Sequence, residues 1–394
     1  MFGLLIAVIY LSFISLGLPD SLLGSAWPVM RSGMNVPLSY AGIVSTVICL
    51  GTITSSLLSD RLTKWLGTGL VTAISVTMTA VALFLFSVSS RFWHLIVFAV
   101  PYGLGAGGVD ASLNNYVALH LKARHMSWLH CMWGVGAAVS PYIMGYAITG
   151  GTGWNQGYFI VAVIQICLSA VLFISLPLWK KCAKSTVGEE EKLEKTAPLK
   201  LREVVKIKGA VTCFFCFFCY CALEQTTMLW ASSYMISHNG ITAENAAVYA
   251  SLFFIGITAG RGINGFLTLK FGDKALIRTG LALITVGVAL IIVPHVRALT
   301  VAGLIIIGLG CAPVYPCIIH MTPALFGETK SQAMIGVQMA CAYTGSCVAP
   351  PLFGLLANHV TARLLPAYLS VFLVLMIIMH ELTVNKTKKR IEVK

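Results

Sequence analysis

Twelve long apolar blocks dictate what this chain can become. They run at roughly residues 2–30, 39–58, 67–88, 92–120, 126–149, 157–178, 209–237, 244–269, 274–294, 298–320, 331–357 and 362–384. Each is near or above the ~20 residues that carry a helix across a bilayer core. Only 10% of the 394 residues are charged, against about a quarter in a soluble domain. In lipid, peptide groups must be bonded within a helix or a closed barrel, and no ten-residue alternation of the barrel kind is present. The expected fold is therefore an all-α polytopic membrane protein with twelve transmembrane helices. The first block has no A-x-A-like cleavage site, so it reads as a retained first span and not as a signal peptide.

A net charge of +13 first suggests nucleic acid, but the positions of the charges point elsewhere. All but five of the 27 Lys and Arg fall in alternate loops, the central linker or the C-terminal tail. The five are Arg31, Arg91, Arg297 and Arg363 at opposite helix ends and Arg261 inside a block. That bias is the positive-inside pattern, which puts both termini in the cytoplasm; the short loops and bare termini suggest the inner (plasma) membrane. Nucleic acid is excluded as a partner; the lipid bilayer is one. The twelve cysteines, Cys213, Cys216, Cys219 and Cys221 among them, have C-x-x-C spacings. No His pair follows them and a spanning helix cannot fold around zinc, so they read as buried thiols and no metal site is expected.

Residues 179–208 are the one extended polar segment and divide the blocks six and six. The expected organisation is a first half at 1–178, a cytoplasmic linker at 179–208, a second half at 209–384 and a cytoplasmic tail at 385–394. The linker ends in LKLREVVKIKG, which suits a short amphipathic surface helix. The halves are related to each other. GLG at 103–105 returns at 308–310, and Gly51 and Gly67 return as Gly256 and Gly272, all at an offset of 205. Gly136, Pro141 and Gly145 match Gly345, Pro350 and Gly354 at an offset of 209. Ordered matches across three pairs of spans mark a duplication. An even number of spans per repeat gives both halves the same orientation.

This parallel 6+6 pattern, with its central linker, resembles the major facilitator superfamily. The loop between spans 2 and 3, SLLSDRLTKW, is similar to that superfamily's G-x-x-x-D-R-x-G-R-R motif. It keeps Asp60, Arg61 and Lys64 and departs from it at Ser56 and Thr63. SLGLPDSLLGSAWP in span 1, VDASLNNYVALH in span 4 and MSWLHCMWGVGAAVSPYIMG in span 5 resemble the fucose permease branch, the fucose–galactose–glucose:proton symporters. That resemblance implies a solute site near the midplane between the halves. It implies membrane acids at Asp20 and Asp110, and polar binding residues on span 5 at His130 and Trp133.

Read by themselves, the ionisable residues deep in the blocks are Asp20, Asp110, Glu224, Arg261 and His130. Such residues face cavities or one another and mark ion or substrate pathways. Three acids against one obligate cation leave charge that H⁺ or Na⁺ must neutralise, which is what ion-coupled transport requires. Asp110 shares a face with Asn114; its alternative use is to tie span 4 to a neighbour. Asp20 follows Pro19, where a helix bends, and Trp27 lies seven residues on and so shares a face with it. A carboxylate beside an indole suits a sugar. Glu224, with Gln225 beside it, is the counterpart of Asp20 in the second half. Arg261, with Asn264 on its face, either pairs permanently with Glu224 or forms a gated pair with it. His130 is a packing residue or a solute contact. Gln338 and Tyr343 on span 11 are hydroxyl ligands or interhelical bonds. Tyr315, the counterpart of Asp110 in the second half, is a further candidate solute contact, as are Asn114 and Gln225; it lies between Pro313 and Pro316, where a proline-broken span would act as a gate. Asp60 and Arg61 belong to the 2–3 loop and act on conformational balance.

The leading reading is a monomeric secondary symporter for a monosaccharide or similar polar solute. H⁺ is coupled through Asp110, Asp20 and Glu224, and no cofactor takes part. A sodium-coupled symporter and a drug/proton antiporter of the same fold are the alternatives, and a nutrient sensor would need a partner-binding extension. No nucleotide loop and no nucleophile–base or metal constellation points to ATP use or to an enzyme.

Overall fold

The first apolar block is two helices, α1 (Phe2–Asp20) and α2 (Leu22–Met34), parted at Ser21. In this computed structural model, which describes residues 2–37, 40–185, 198–241, 243–293 and 296–391, the other eleven blocks are single helices. They are α3 (Tyr40–Leu66), α4 (Thr68–Ser87), α5 (Phe92–His120), α6 (Ala123–Thr149) and α7 (Gly153–Ser185) before the linker. A short α8 (Leu201–Val205) closes the linker. After it come α9 (Ala210–Asn239), α10 (Ala243–Leu267), α11 (Asp273–Ile292), α12 (Arg297–Phe326), α13 (Glu328–His359) and α14 (Leu365–Ile391). Among the described residues, twelve helices are long and apolar enough to cross a membrane. Residues 186–197 of the expected linker lie outside the described residues, as do the last three residues of the tail.

Three expectations about the elements are corrected. Asp60 and Arg61 are not in a loop: α3 runs past them to Leu66. The helix can continue because Lys64, one turn on, pairs with Asp60 at 3.0 Å and lets the carboxylate stay in the helix. Span 10 is not broken. α12 passes without interruption through Pro313, Pro316 and Pro323, as membrane helices can where neighbouring helices and local adjustments satisfy the freed backbone groups. Finally, α14 continues through residue 385 to Ile391, so the expected tail begins as helix.

The described chain falls into two compact units: Met1–Tyr116 with Met132–Leu199, and Val117–Cys131 with Lys200–Lys394. The second unit thus includes the end of α5 and the start of α6. Within it, Trp128 donates its indole N–H to the Gly262 carbonyl at 3.3 Å, and Ser127 accepts from Asn264 at 2.7 Å. Gly265 makes room for the indole, because a Cβ there would land on it.

Several of the glycines that marked the repeat make the same crossing in each unit. In the first, Gly51 of α3 lies against Gly103 of α5, a Cβ at Gly51 meeting the Gly103 backbone at 3.1 Å. In the second, Gly256 of α10 lies against Gly308 of α12, at 3.3 Å by the same measure. Gly136 packs α6 on Ile14 and Leu18 of α1, and Gly345 packs α13 on Phe218 and Ala222 of α9. Small residues let helix backbones approach where lipid offers no hydrophobic drive. The sequence repeat is a repeat of packing.

Candidate functional site

The break at Ser21 builds an exposed acid in the first unit. Pro19 has no N–H for the Ser15 carbonyl one turn back. Gln165 of α7 takes that carbonyl with its amide N–H and accepts from the Ser15 hydroxyl with its oxygen. Pro141 of α6 similarly frees the Ala137 carbonyl, and the Ser21 hydroxyl donates to it at 2.6 Å while touching Ser140 Oγ at 2.8 Å. Two proline defects in two helices are each answered by a side chain from elsewhere, which pins the interruption in place.

Asp20 is the last residue before that interruption, and its side chain is exposed. Trp133 Nε1–H donates to one carboxylate oxygen at 2.7 Å, and the Tyr102 hydroxyl donates to the other at 3.2 Å. Asp110 lies near enough for its charge to act on Asp20. Asp110 itself is 3% exposed and accepts from Asn114 Nδ2 at 2.7 Å. The two acids therefore differ in exposure: Asp20 is an exposed residue, and Asp110 is buried with Asn114.

Trp27 does not join them. The helix it shares with Asp20 in sequence is interrupted, the common face is lost, and Trp27 packs in the apolar core against Phe92, with ring centroids 6.3 Å apart. Trp133 is held by Asp20, whereas His130, three residues earlier, belongs to the other unit.

In the second unit Arg261 and Glu224 form a buried ion pair, Nη2 to Oε1 at 3.1 Å, with side chains 5% and 8% exposed. Tyr220 lies against both. Glu224 is thus matched by a permanent cation. His130 is buried with its ring edge-on to Tyr315 at 4.7 Å, and Tyr315 donates to Met339 Sδ at 3.2 Å. Asn264 is buried on Ser127. Gln338 is fully buried and bonds the Thr322 hydroxyl (2.9 Å) and the Cys213 thiol (3.1 Å). It links α9, α12 and α13. Gln225 and Tyr343 are half-buried. Asp60 also accepts from the Leu199 backbone N–H at 3.0 Å, and Arg61 is exposed.

Tyr102, Ser21, Ser140 and Gln165 are the residues that sequence reasoning passed over. Each is an ordinary polar residue in an apolar block. Only Ser21 carried a signal, its place directly after Pro19-Asp20.

Among described residues no group of three or more His, Cys, Asp or Glu is gathered to hold a metal ion. Twelve spans, a packing repeat and an exposed carboxylate at a helix break define a polytopic membrane transporter. The sequence profile of the Major Facilitator Superfamily matches residues 9–234 and 213–393. The chain belongs to that superfamily. It is a transporter of small molecules, not an enzyme, and transporters of this kind need no cofactor. The glucose/mannose transporter GlcP of Bacillus subtilis is 21% identical over 360 residues, covering 90% of this chain and 88% of the relative. Among solved structures, the E. coli fucose:proton symporter FucP superposes with a TM-score of 0.73 at 14% identity over 95% of this chain and 98% of its own. The human organic anion transporter MFSD10 superposes with a TM-score of 0.72 at 13% identity over 96% and 98%. Those two structures share the fold with this chain.

Proposed function

We propose that this protein is a proton-coupled symporter of a monosaccharide or similarly hydroxylated solute, working by alternating access. The observation that carries the reading is Asp20, an exposed carboxylate fixed at a helix break by one indole and one phenol. Ionised, it accepts from both Trp133 and Tyr102. Protonated, it keeps one acceptor oxygen and gains a donor. Trp133 can only donate, but a tyrosine hydroxyl also accepts, so Tyr102 can reverse its bond and Trp133 cannot. The carboxyl group therefore changes what it offers a solute hydroxyl when it takes up a proton. Asp110, buried beside Asn114, sets the local charge and is the second coupling acid. The names of the glucose/mannose and fucose:proton relatives support a sugar; the organic anion transporter, of the same fold, is the reason the solute must be tested. The chain works as a monomer in the inner membrane, with both termini cytoplasmic as the charge bias requires.

The test is uptake of labelled hexoses and deoxyhexoses into proteoliposomes, with and without an inward proton gradient. Wild type is run beside Asp20→Asn and Asp110→Asn. Gradient-driven accumulation of one sugar, reduced to exchange without accumulation in Asp20→Asn, is the expected result. Accumulation that follows Na⁺ and ignores the proton gradient overturns the coupling ion. Expulsion of a cationic drug with no sugar movement overturns the symporter in favour of an antiporter.

A further inference from the structure

The segment from Lys200 to Lys208 has no part in the site above, yet its chemistry is specific. α8 turns Val204 inward, where it is buried, and leaves Leu201 and Val205 exposed at 52% and 41%. Those positions are i and i+4, so they form one strip, and at 100° per residue Val204 flanks it. The apolar surface thus continues outward from the protein's own interior. Lys200, Arg202, Lys206 and Lys208 are all exposed around it. Glu203, the one acid of the segment, is engaged in accepting the Lys200 backbone N–H at 2.8 Å. Gly209, with φ at +87°, then turns the chain into α9, the seventh span. A Cβ at Gly209 would touch the stem of Lys386, on α14, at 3.6 Å, and Lys386 is exposed too. Five cations and a short apolar strip therefore gather where two spans leave the apolar layer.

We infer that this is a docking surface for anionic phospholipid in the leaflet where α9 begins. The phosphate groups lie against Lys200, Arg202, Lys206, Lys208 and Lys386, and the acyl chains begin at Leu201 and Val205. Charge and position select this occupant. A soluble acidic protein would match the cations but not an apolar strip at headgroup depth, whereas polybasic segments next to a span attract anionic lipid.

The full-length protein, delipidated in neutral detergent, is titrated with phosphatidylglycerol and with phosphatidylcholine, and bound lipid is counted by native mass spectrometry. Wild type is expected to favour phosphatidylglycerol by about tenfold, and the Lys200→Gln/Arg202→Gln/Lys206→Gln/Lys208→Gln variant to fall within about twofold of no preference. Lys270→Gln/Lys274→Gln removes charge elsewhere and is expected to keep the preference; equal losses in both variants overturn the assignment to this surface. Leu201→Ser/Val205→Ser, with all charges intact, is expected to weaken phosphatidylglycerol. If it does not, and glycerol phosphate competes at the lipid's own concentration, the surface is a phosphate site and the lipid proposal fails. Unchanged elution volume and helical circular dichroism show that each variant is folded.

Discussion

At the scale of single residues, two tests separate the side chains proposed to meet a solute from those proposed only to hold helices together. Trp133 bonds Asp20 at 2.7 Å and Tyr102 does so at 3.2 Å. A hydrogen bond to a charged group is worth roughly 1.5–3 kcal/mol, so Trp133→Phe is expected to weaken solute binding by about tenfold or more. Tyr102→Phe should cost less affinity but more of the response to a proton gradient, because its hydroxyl is the partner that can reverse. Isothermal titration beside gradient-driven uptake reads both effects. Gln338→Leu is the contrasting case. Its bonds to Thr322 and Cys213 are buried, so it should lower stability by about 0.5–1.5 kcal/mol, the usual range between membrane helices. Solute affinity should stay at wild type. A thermal-shift assay with a binding curve decides it, and a large affinity loss would return Gln338 to the site.

At the scale of the element, the interruption of the first span is held by a proline and an amide acting on the same carbonyl. Gln165→Leu leaves the Ser15 carbonyl and hydroxyl without their partner, at a cost of about 1–3 kcal/mol. Pro19→Ala restores an N–H to that carbonyl, so the cost of Gln165→Leu should shrink in the Pro19→Ala background. The double-mutant cycle measures this coupling directly, and additive effects would mean that the two residues do not share a carbonyl. The helix crossings are less forgiving. A Cβ at Gly103 would strike the Ile48 carbonyl, and one at Gly308 the Phe253 carbonyl. Gly103→Val and Gly308→Val should each abolish folded protein, seen as loss of the monodisperse peak on gel filtration. Fold was legible at this scale because each span announces itself in its own sequence. The break at Ser21 was half legible: Pro19 predicted a bend, but that Gln165 and Ser140 would pin it depended on residues more than a hundred positions away.

At the scale of the whole molecule, orientation and coupling are the properties that matter. The charge bias predicts that Lys200→Cys reacts with a membrane-impermeant maleimide in inverted vesicles and not in right-side-out ones, above the labelling of the unsubstituted chain. Labelling from the outer face would reverse the orientation. The ionisable residues also sort at this scale. Asp20, Asp110, Glu224, Arg261 and His130 were all visible as polar residues in apolar blocks. Glu224 turned out to be matched by Arg261 at 3.1 Å, His130 to lie against Tyr315 and Trp27 to be core.

The sequence alone determined the twelve spans, the duplication and the few positions where charge enters the membrane. It could do so because lipid forces every helix to satisfy its own backbone, which keeps that information local. The tertiary structure decided which polar side chain is exposed and which is buried, Asp20 against Asp110, and which amide links three helices, Gln338. A polar residue on a helix reads the same in sequence whether it faces a neighbour or an opening. The difference lies in how far the helix is turned and what packs beside it, and distant residues such as Gln165, Trp133 and Tyr102 set that.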